Sequence, residues 1–261
     1  MATKKTAKAA SAPTPSAGTS VAVRKPAAGA IVSIKEQMAA QIADLANRTA
    51  APSGNKIRVT QDKQFVLPDG VKTPGPLQLV IVDFAASNSF YDRPFDKDDV
   101  IPPACYSVGL DPRKLIPVAA SPDKQCDNCH ACPNNAFGSK GKGKACTNNR
   151  LLAVLPPDGD ADSPLWQLSV SPTALKAFDG YVQAVARTFQ TPPVGVVTTV
   201  SFDPNNDYPS LQFGDPQPNE NLAEHFARQA EAREMLMADK DFSAYEPVVK
   251  APARKTGTAR R

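Results

Sequence analysis

Residues 77–86, LQLVIVDFAA, give the clearest indication of the fold of this 261-residue chain. Their nearly continuous apolar character predicts a buried β-strand. Two shorter strand-like segments precede them: KIRVT at 56–60, and QFVLP at 64–68, which is closed by the turn pair Asp69-Gly70. We expect these three segments to pair as a meander.

Further strand patterns follow the buried segment. They are RLLAVLP at 150–156, LWQLSV at 165–170, VGVVTTVSF at 194–202 and LQF at 211–213. Between them, SPTALKAFDGYVQAVARTF at 171–189 predicts a helix that opens with Ser171 as N-cap and Pro172 at the first helical position. One face of that helix carries Leu175, Phe178, Val182 and Val185. Gly180 in its interior costs about 1 kcal/mol relative to Ala.

Two more helices are expected outside this region. SIKEQMAAQIADLANR at 33–48 has a capping-box pattern, with Ser33 as N-cap and Glu36 three residues later. Residues 219–238 predict a polar helix. About seven short strands with a late helix predict a mainly β (α+β) fold, an OB-like β-barrel over residues 31–243 with peripheral helices. A zinc-binding insertion is expected at about 105–150.

Charge is unevenly distributed along the chain. Residues 1–30 carry +5 with no acidic residue, and residues 244–261 carry +4, so the remainder carries −5 of the formal total of +4. We interpret both ends as disordered basic tails, which favour contact with a polyanion such as nucleic acid. The alternative is that these tails only keep the protein in solution.

No apolar run approaches the roughly 18 to 20 residues that span a bilayer, and the first 20 residues lack a secretory apolar segment. We therefore expect a cytoplasmic protein, in a compartment where thiols stay reduced. A partner in a membrane is not expected.

The most specific chemical pattern is CDNCHACPNNAFGSKGKGKAC at 126–146, with a fifth cysteine, Cys105, just upstream. Cysteines at two-residue spacing in a reducing compartment favour a structural Zn²⁺ site over disulfides. The expected ligands are Cys105, Cys129, Cys132 and Cys146. Cys126 is the alternate ligand, in the set Cys126, Cys129, Cys132 and Cys146, and His130 could replace one thiolate. A redox disulfide, an iron–sulfur cluster and inert buried thiols are the other interpretations.

The same segment is basic, because Lys140, Lys142 and Lys144 alternate with glycines and Arg150 follows. We predict that these four residues contact phosphates, the alternative being a solvated run of charge. Stacking faces for unpaired bases could come from Phe137, Tyr91 and Tyr106, although each is also a candidate core residue. Trp166 is expected in the core.

The segments IPPACYS at 101–107, CHACPNNAFGSKGKGKAC at 129–146 and NRLLAVLP at 149–156 resemble a group of tailed-phage proteins similar to single-stranded DNA-binding proteins. The resemblance covers about residues 55–215. It implies an OB-type barrel with a zinc element that coats single strands during replication or recombination in the bacterial host cytoplasm. The basic C-terminus departs from the acidic, partner-recruiting tail that such proteins commonly carry.

The sequence thus predicts a non-catalytic, sequence-tolerant single-stranded DNA-binding protein with structural zinc. Its expected partners are single-stranded DNA, replication or recombination proteins, and a second copy of itself. One alternative is a zinc-containing adaptor or transcription regulator that binds a host protein and duplex DNA. Another is a metal-dependent nuclease that uses the carboxylates Asp92, Asp96, Asp98 and Asp99. A solvated acidic turn is the simpler interpretation of that cluster, so no enzymatic activity is expected.

Overall fold

The structure is a computed structural model and describes residues 54–246 except 95 and 97–99, together with the isolated positions 37 and 41. In this part of the chain it has nine strands and three α-helices. The strands are β1 (Lys56–Val59), β2 (Phe65–Val66), β3 (Lys72–Thr73), β4 (Leu77–Phe90), β5 (Cys105–Gly109), β6 (Cys146–Leu155), β7 (Trp166–Val170), β8 (Val196–Phe202) and β9 (Leu211–Pro218). The helices are α1 (Leu175–Phe189), α2 (Leu222–Ala227) and α3 (Gln229–Met237). The prediction of a mainly β fold is confirmed.

One sheet contains all nine strands in the order β3-β2-β1-β7-β6-β4-β8-β9, and β5 adds to β4. The β1–β7 pair is parallel, and the other pairs are antiparallel. The long strand β4 is central because β6 runs along one edge of it, while β8 and β5 share the other edge. β8 pairs with the first part of β4, and β5 pairs with the last part. The mixed sheet forms an open half-barrel.

A bulge in β4 explains the aspartate inside an otherwise apolar strand. The register between β4 and β6 shifts between Ile81 and Asp83. Ile81 remains in the main core, whereas the Asp83 carboxylate ion-pairs with the Arg233 guanidinium of α3 at 2.9 Å. The bulge therefore lets one strand serve a core on one face and a helix on the other.

The main core lies between the inner face of the sheet and α1. It includes Ile81, Leu152, Leu168 and Val200 from the strands and Phe178 from the helix. Phe178 makes edge-on ring contacts with Phe84 and Phe213, at centroid distances of 5.2 and 5.1 Å. Such apolar burial is worth about 1.5–3 kcal/mol for each large side chain.

The opposite face of the sheet is covered in part by α3. Ala232 and Leu236 of this helix pack on Val82, Ala153 and Leu155. Among the described residues, no helix is long and apolar enough to cross a membrane. The sheet thus has an inner, fully covered face and an outer face that α3 covers only at one end.

Several sequence predictions need correction. β1 and β2 pair antiparallel as predicted, but β2 pairs next with β3, a two-residue strand that was not predicted. β4 pairs with β5, β6 and β8, so the three predicted segments do not form a meander. The proline- and aspartate-rich region before the cysteines contains an unpredicted strand, β5. The polar helix at 219–238 is two helices that meet at Arg228, whose side chain bonds Glu231 and the carbonyl of Ser163.

Helix α1 begins three residues later than predicted, because Pro172–Ala174 forms a separate 3₁₀ turn after Ser171. Its Gly180 does not interrupt it. Its fully buried residues are Phe178, Tyr181 and Val185, and Tyr181 was not predicted. Of the predicted helix at 33–48, the structure describes only Gln37 and Gln41, both as helix. The rest of that segment lies outside the described residues. Tail residues 1–30 and 247–261 also lie outside them.

Candidate nucleic-acid interface and cysteine cavity

All five cysteines line one small cavity, with a volume of about 10 Å³. That space fits about a single small atom or ion. Cys105, Cys129, Cys132 and Cys146 are 5–8% exposed, and Cys126 is more exposed than they are. The structure therefore brings together every thiol that the sequence singled out.

Three strands and one loop build the cavity. Phe90 at the end of β4 is opposite Cys105 of β5 on one side and Cys146 of β6 on the other. Because opposed residues of antiparallel strands point to the same face, both thiols lie on the same side of the sheet. The loop between β5 and β6 brings the other three cysteines to that side.

Polar groups fix the loop against the strands. The Cys129 N–H donates to the Leu115 carbonyl at 3.0 Å, and its thiol donates to the Ser107 hydroxyl at 3.3 Å. The Asn135 side-chain amide donates to the Cys129 carbonyl at 2.7 Å. The Cys126 thiol donates to the Asn128 carbonyl at 3.2 Å. Two of these four bonds, those from the Cys126 and Cys129 thiols, use sulfur atoms of cysteines that line the cavity.

Three of the thiols have raised pKa values in this arrangement. Burial raises the pKa of the Cys105 thiol, and burial together with the neighbouring cysteines raises the pKa values of Cys126 and Cys146 to about 12. As placed, no group of three or more His, Cys, Asp or Glu side chains in the described residues is arranged to hold a metal ion. Coordination would require the thiols to lose their protons and turn from their present acceptors toward the cavity.

Cys126 and His130 occupy different positions from the four buried cysteines. Cys126 is partly exposed at the rim, and its thiol already has an acceptor in its own turn. His130 is exposed and does not line the cavity, although it lies between Cys129 and Cys132 in sequence. The geometry thus favours the four buried thiols over either alternative ligand.

The lysine loop, residues 138–144, follows as a tight hairpin. The Gly138 N–H donates to the Gly143 carbonyl at 2.8 Å, and the Gly143 N–H donates to the Lys140 carbonyl at 3.0 Å. Gly138 and Gly141 have φ of +91° and +58°, the left-handed region that glycine adopts without strain. The side chains of Lys140, Lys142 and Lys144 are exposed. The structure therefore presents three ammonium groups on one short loop.

Phe137 and Arg150 flank this loop in sequence but differ in exposure. Phe137 is 80% exposed beside the loop, as a stacking residue should be. Arg150 instead forms an ion pair with Asp179 of α1 at 3.2 Å, and its side chain is only 13% exposed. Its position on β6 turns Arg150 toward α1 and away from the lysines, and a phosphate contact by this residue stays a prediction.

A groove of about 1040 Å³ lies on the outer face of the sheet. The cysteine cavity lies on the opposite face, because Cys105 and Cys146 directly precede the groove residues Tyr106 and Thr147 in their strands. Alternate residues of neighbouring strands form its floor, since opposed positions share a face. They are Ser87 and Ser89 of β4, Tyr106 of β5, Thr147, Asn149 and Leu151 of β6, Gln167 and Ser169 of β7, and Lys56 of β1. The floor is therefore mostly hydroxyl and amide groups, which can donate to and accept from the edges of bases.

The walls of the groove come from two segments. One is the loop before β5, with Tyr91, Val100 and Ile101 among its lining residues. The other is the end of α3 and the segment that follows it, residues 238–246, here named the C-terminal strap. The strap has no helix or strand.

The two predicted tyrosines line this groove but differ in exposure. Tyr91 is 45% exposed, whereas Tyr106 is 2% exposed, because Lys240 of the strap lies over its ring with Nζ 4.2 Å from the centroid. Burial raises the pKa of Tyr106 to about 12. Burial, followed by the charge of Lys56, lowers the pKa of Lys240. The ammonium groups of Lys56 and Lys240 thus share the groove.

Of the predicted carboxylate cluster, Asp98 and Asp99 lie outside the described residues. Asp92 accepts a hydrogen bond from the Tyr245 hydroxyl of the strap at 2.9 Å. Asp96 is exposed. The described carboxylate Asp92 therefore has a role in holding the strap.

Comparison of the chain with protein-family models, curated proteins and solved structures finds no match. The functional argument consequently depends on the geometry of this chain. The sequence contained a partial signal for the groove, which is the polar residues within the strands: Ser87 and Ser89 in β4, Thr147 and Asn149 in β6, and Gln167 and Ser169 in β7. Only the strand register shows that these pairs share one face.

Proposed function

We propose that this protein is a non-catalytic, sequence-tolerant single-stranded DNA-binding protein with a structural zinc site. The observation that carries the proposal is the groove, with its polar floor, its tyrosines and two lysines on the outer face of the sheet. An unpaired strand offers base edges, base faces and phosphates, and the groove has a group that matches each of them. A duplex hides most base faces and edges from such a surface.

Strand order supports an OB-like barrel as the framework. Five strands are hydrogen-bonded in the spatial order β7-β6-β4-β8-β9. In sequence, α1 lies between β7 and β8. In OB folds the second and third strands and the loop between the first and second bind oligonucleotides. Here those strands are β6 and β7, which contribute much of the groove floor, and that loop holds β5 and the cysteine segment. The edge of β7 that faces away from β6 pairs with β1 and not with β9, so the barrel does not close.

The cysteine cavity supports a structural zinc ion. Cys105, Cys129, Cys132 and Cys146 would hold it, because they are buried around one small space and four thiolates complete a tetrahedral site. Such an ion would fix the cysteine lobe, residues 105–146, which carries the lysine loop. From the resemblance to tailed-phage proteins we propose that this activity serves phage DNA replication or recombination.

Fluorescence anisotropy of a labelled dT oligonucleotide and its duplex, over a salt series with the full-length protein, tests the proposal. We expect preference for the single strand. Gln167→Glu on the groove floor should weaken binding about fivefold or more, through a negative charge set against phosphates. The matched control is Gln183→Glu on the exposed side of α1, which should bind as the wild type does.

Preference for the duplex would overturn the proposal and support the adaptor or transcription-regulator alternative. Equal effects of the two substitutions would remove the groove as the binding site. Cleavage of the oligonucleotide with Mg²⁺, lost in Asp96→Ala, would support the nuclease alternative.

A further inference from the structure

The C-terminal strap covers the aromatic surface of the groove. The Lys240 ammonium lies over the Tyr106 ring, and the Phe242 ring lies 6.5 Å from it, centroid to centroid. Both Tyr106 and Lys240 line the groove. The ring face on which a base would stack is therefore taken by a residue of the chain itself.

Side-chain contacts, not strand pairing, tether the strap. The Tyr245 hydroxyl donates to Asp92 Oδ2 at 2.9 Å, and the Arg93 guanidinium donates to the Glu246 carbonyl oxygen. Within the strap, the Tyr245 N–H donates to the Phe242 carbonyl at 2.9 Å. Contacts of this kind contribute about 0.5–1.5 kcal/mol each, so segments held by them open more readily than sheet strands.

Lys240 also faces Lys56 across the groove, a like charge that does not stabilise the closed strap. An incoming strand would provide what this arrangement lacks. Its phosphates would attract the Lys56 ammonium, and a base would stack on the Tyr106 ring in place of Lys240.

We propose that the strap is a displaceable cover, which occupies the groove in the free protein and leaves when an unpaired base takes the face of Tyr106 that Lys240 now covers. This inference rests on the proposed single-strand binding. Affinity then includes the cost of opening the strap, so any change that loosens the strap without touching the groove increases affinity.

Tyr245→Phe is the test variant, since it removes the hydroxyl bonded to Asp92 without changing charge, and Tyr245 does not line the groove. The matched control is Tyr208→Phe, a half-exposed tyrosine between β8 and β9. Anisotropy with labelled dT oligonucleotide and the full-length protein should show about threefold to tenfold tighter binding for Tyr245→Phe. The control should match the wild type.

Hydrogen exchange with and without the oligonucleotide gives the second readout. We expect faster exchange in residues 239–245 and slower exchange in β6 and β7 when the oligonucleotide is bound. If the wild type binds but Tyr245→Phe binds no tighter, or residues 239–245 become protected, the strap proposal is wrong and single-strand binding stands. If neither protein binds the oligonucleotide, both proposals are wrong.

Discussion

At the scale of single residues, the surroundings of Cys126 differ from those of the other four cysteines. Its thiol is partly exposed and bonds the Asn128 carbonyl within its own turn. Cys146 is buried, and its position is fixed by the register of β6 against β4. A tetrahedral ion needs only four thiolates, so one cysteine is dispensable.

We therefore predict that Cys126→Ser retains one equivalent of zinc and that Cys146→Ser loses it. Elemental analysis of protein purified under reducing conditions, expressed as zinc per chain, measures this. Cys105→Ser should behave like Cys146→Ser. Zinc lost from Cys126→Ser but kept in Cys105→Ser would favour the alternate set Cys126, Cys129, Cys132 and Cys146, and no zinc in the wild type would remove the site.

Sequence could identify these cysteines because each is named by its residue type, and a two-residue spacing is recognisable without a fold. It could not rank them, since Cys105 lies 21 residues before Cys126 and reaches the cavity only through β5. Arg150 shows the same limit. Its charge suggested a phosphate contact, but the side of β6 on which it lies gives it to Asp179.

At the scale of elements, the lysine loop is a separate basic unit. Its three exposed lysines lie on a hairpin closed by its own backbone bonds. Removing their charges costs the exposed hydrogen bond from the Lys144 ammonium to the Asn135 side-chain oxygen at 3.2 Å, and the sheet and its cores should stay unchanged. Each phosphate contact on a single strand contributes about 0.7 to the slope of log K against log salt.

Replacing Lys140, Lys142 and Lys144 together by Gln is predicted to lower that slope by about 2 and to weaken binding at low salt. The control replaces three exposed lysines elsewhere, Lys72, Lys114 and Lys176, by Gln. A similar change in both triple variants would show that only total charge matters. An unchanged slope in the loop variant would show that the loop does not touch phosphate.

Helices and strands with strong apolar periodicity were predictable from sequence, whereas the strands and side chains with which they pair were not. The buried strand β4 and helix α1 follow from local pattern, which is why their positions agree closely with the prediction. β5 was missed because its five residues lie among prolines and aspartates and become a strand only by pairing with the end of β4. The break at Arg228 likewise depends on side-chain bonds to a distant loop.

At the scale of the whole molecule, stability is concentrated away from the cysteine lobe. The main core contains fifteen buried residues from the strands and α1, and the cluster beside the cysteines contains three, Ala86, Leu115 and Cys129. A lobe with so little apolar burial needs another source of order, which a bound ion would supply.

Zinc removal by a strong chelator under reducing conditions should therefore loosen the lobe without unfolding the barrel. Amide exchange in residues 105–146 is predicted to accelerate by about two orders of magnitude or more, while Leu151–Leu155 of β6 remains protected, because its side chains belong to the apolar cores on both sheet faces. Oligonucleotide affinity should fall in parallel and return when zinc is restored.

Cys105→Ser, treated identically, should show the loosened lobe before chelation and no further change after it. Global unfolding on chelation would mean that the lobe supports the barrel, and unchanged exchange in the wild type would mean that hydrogen bonds such as that from Asn135 to the Cys129 carbonyl suffice to hold the loop.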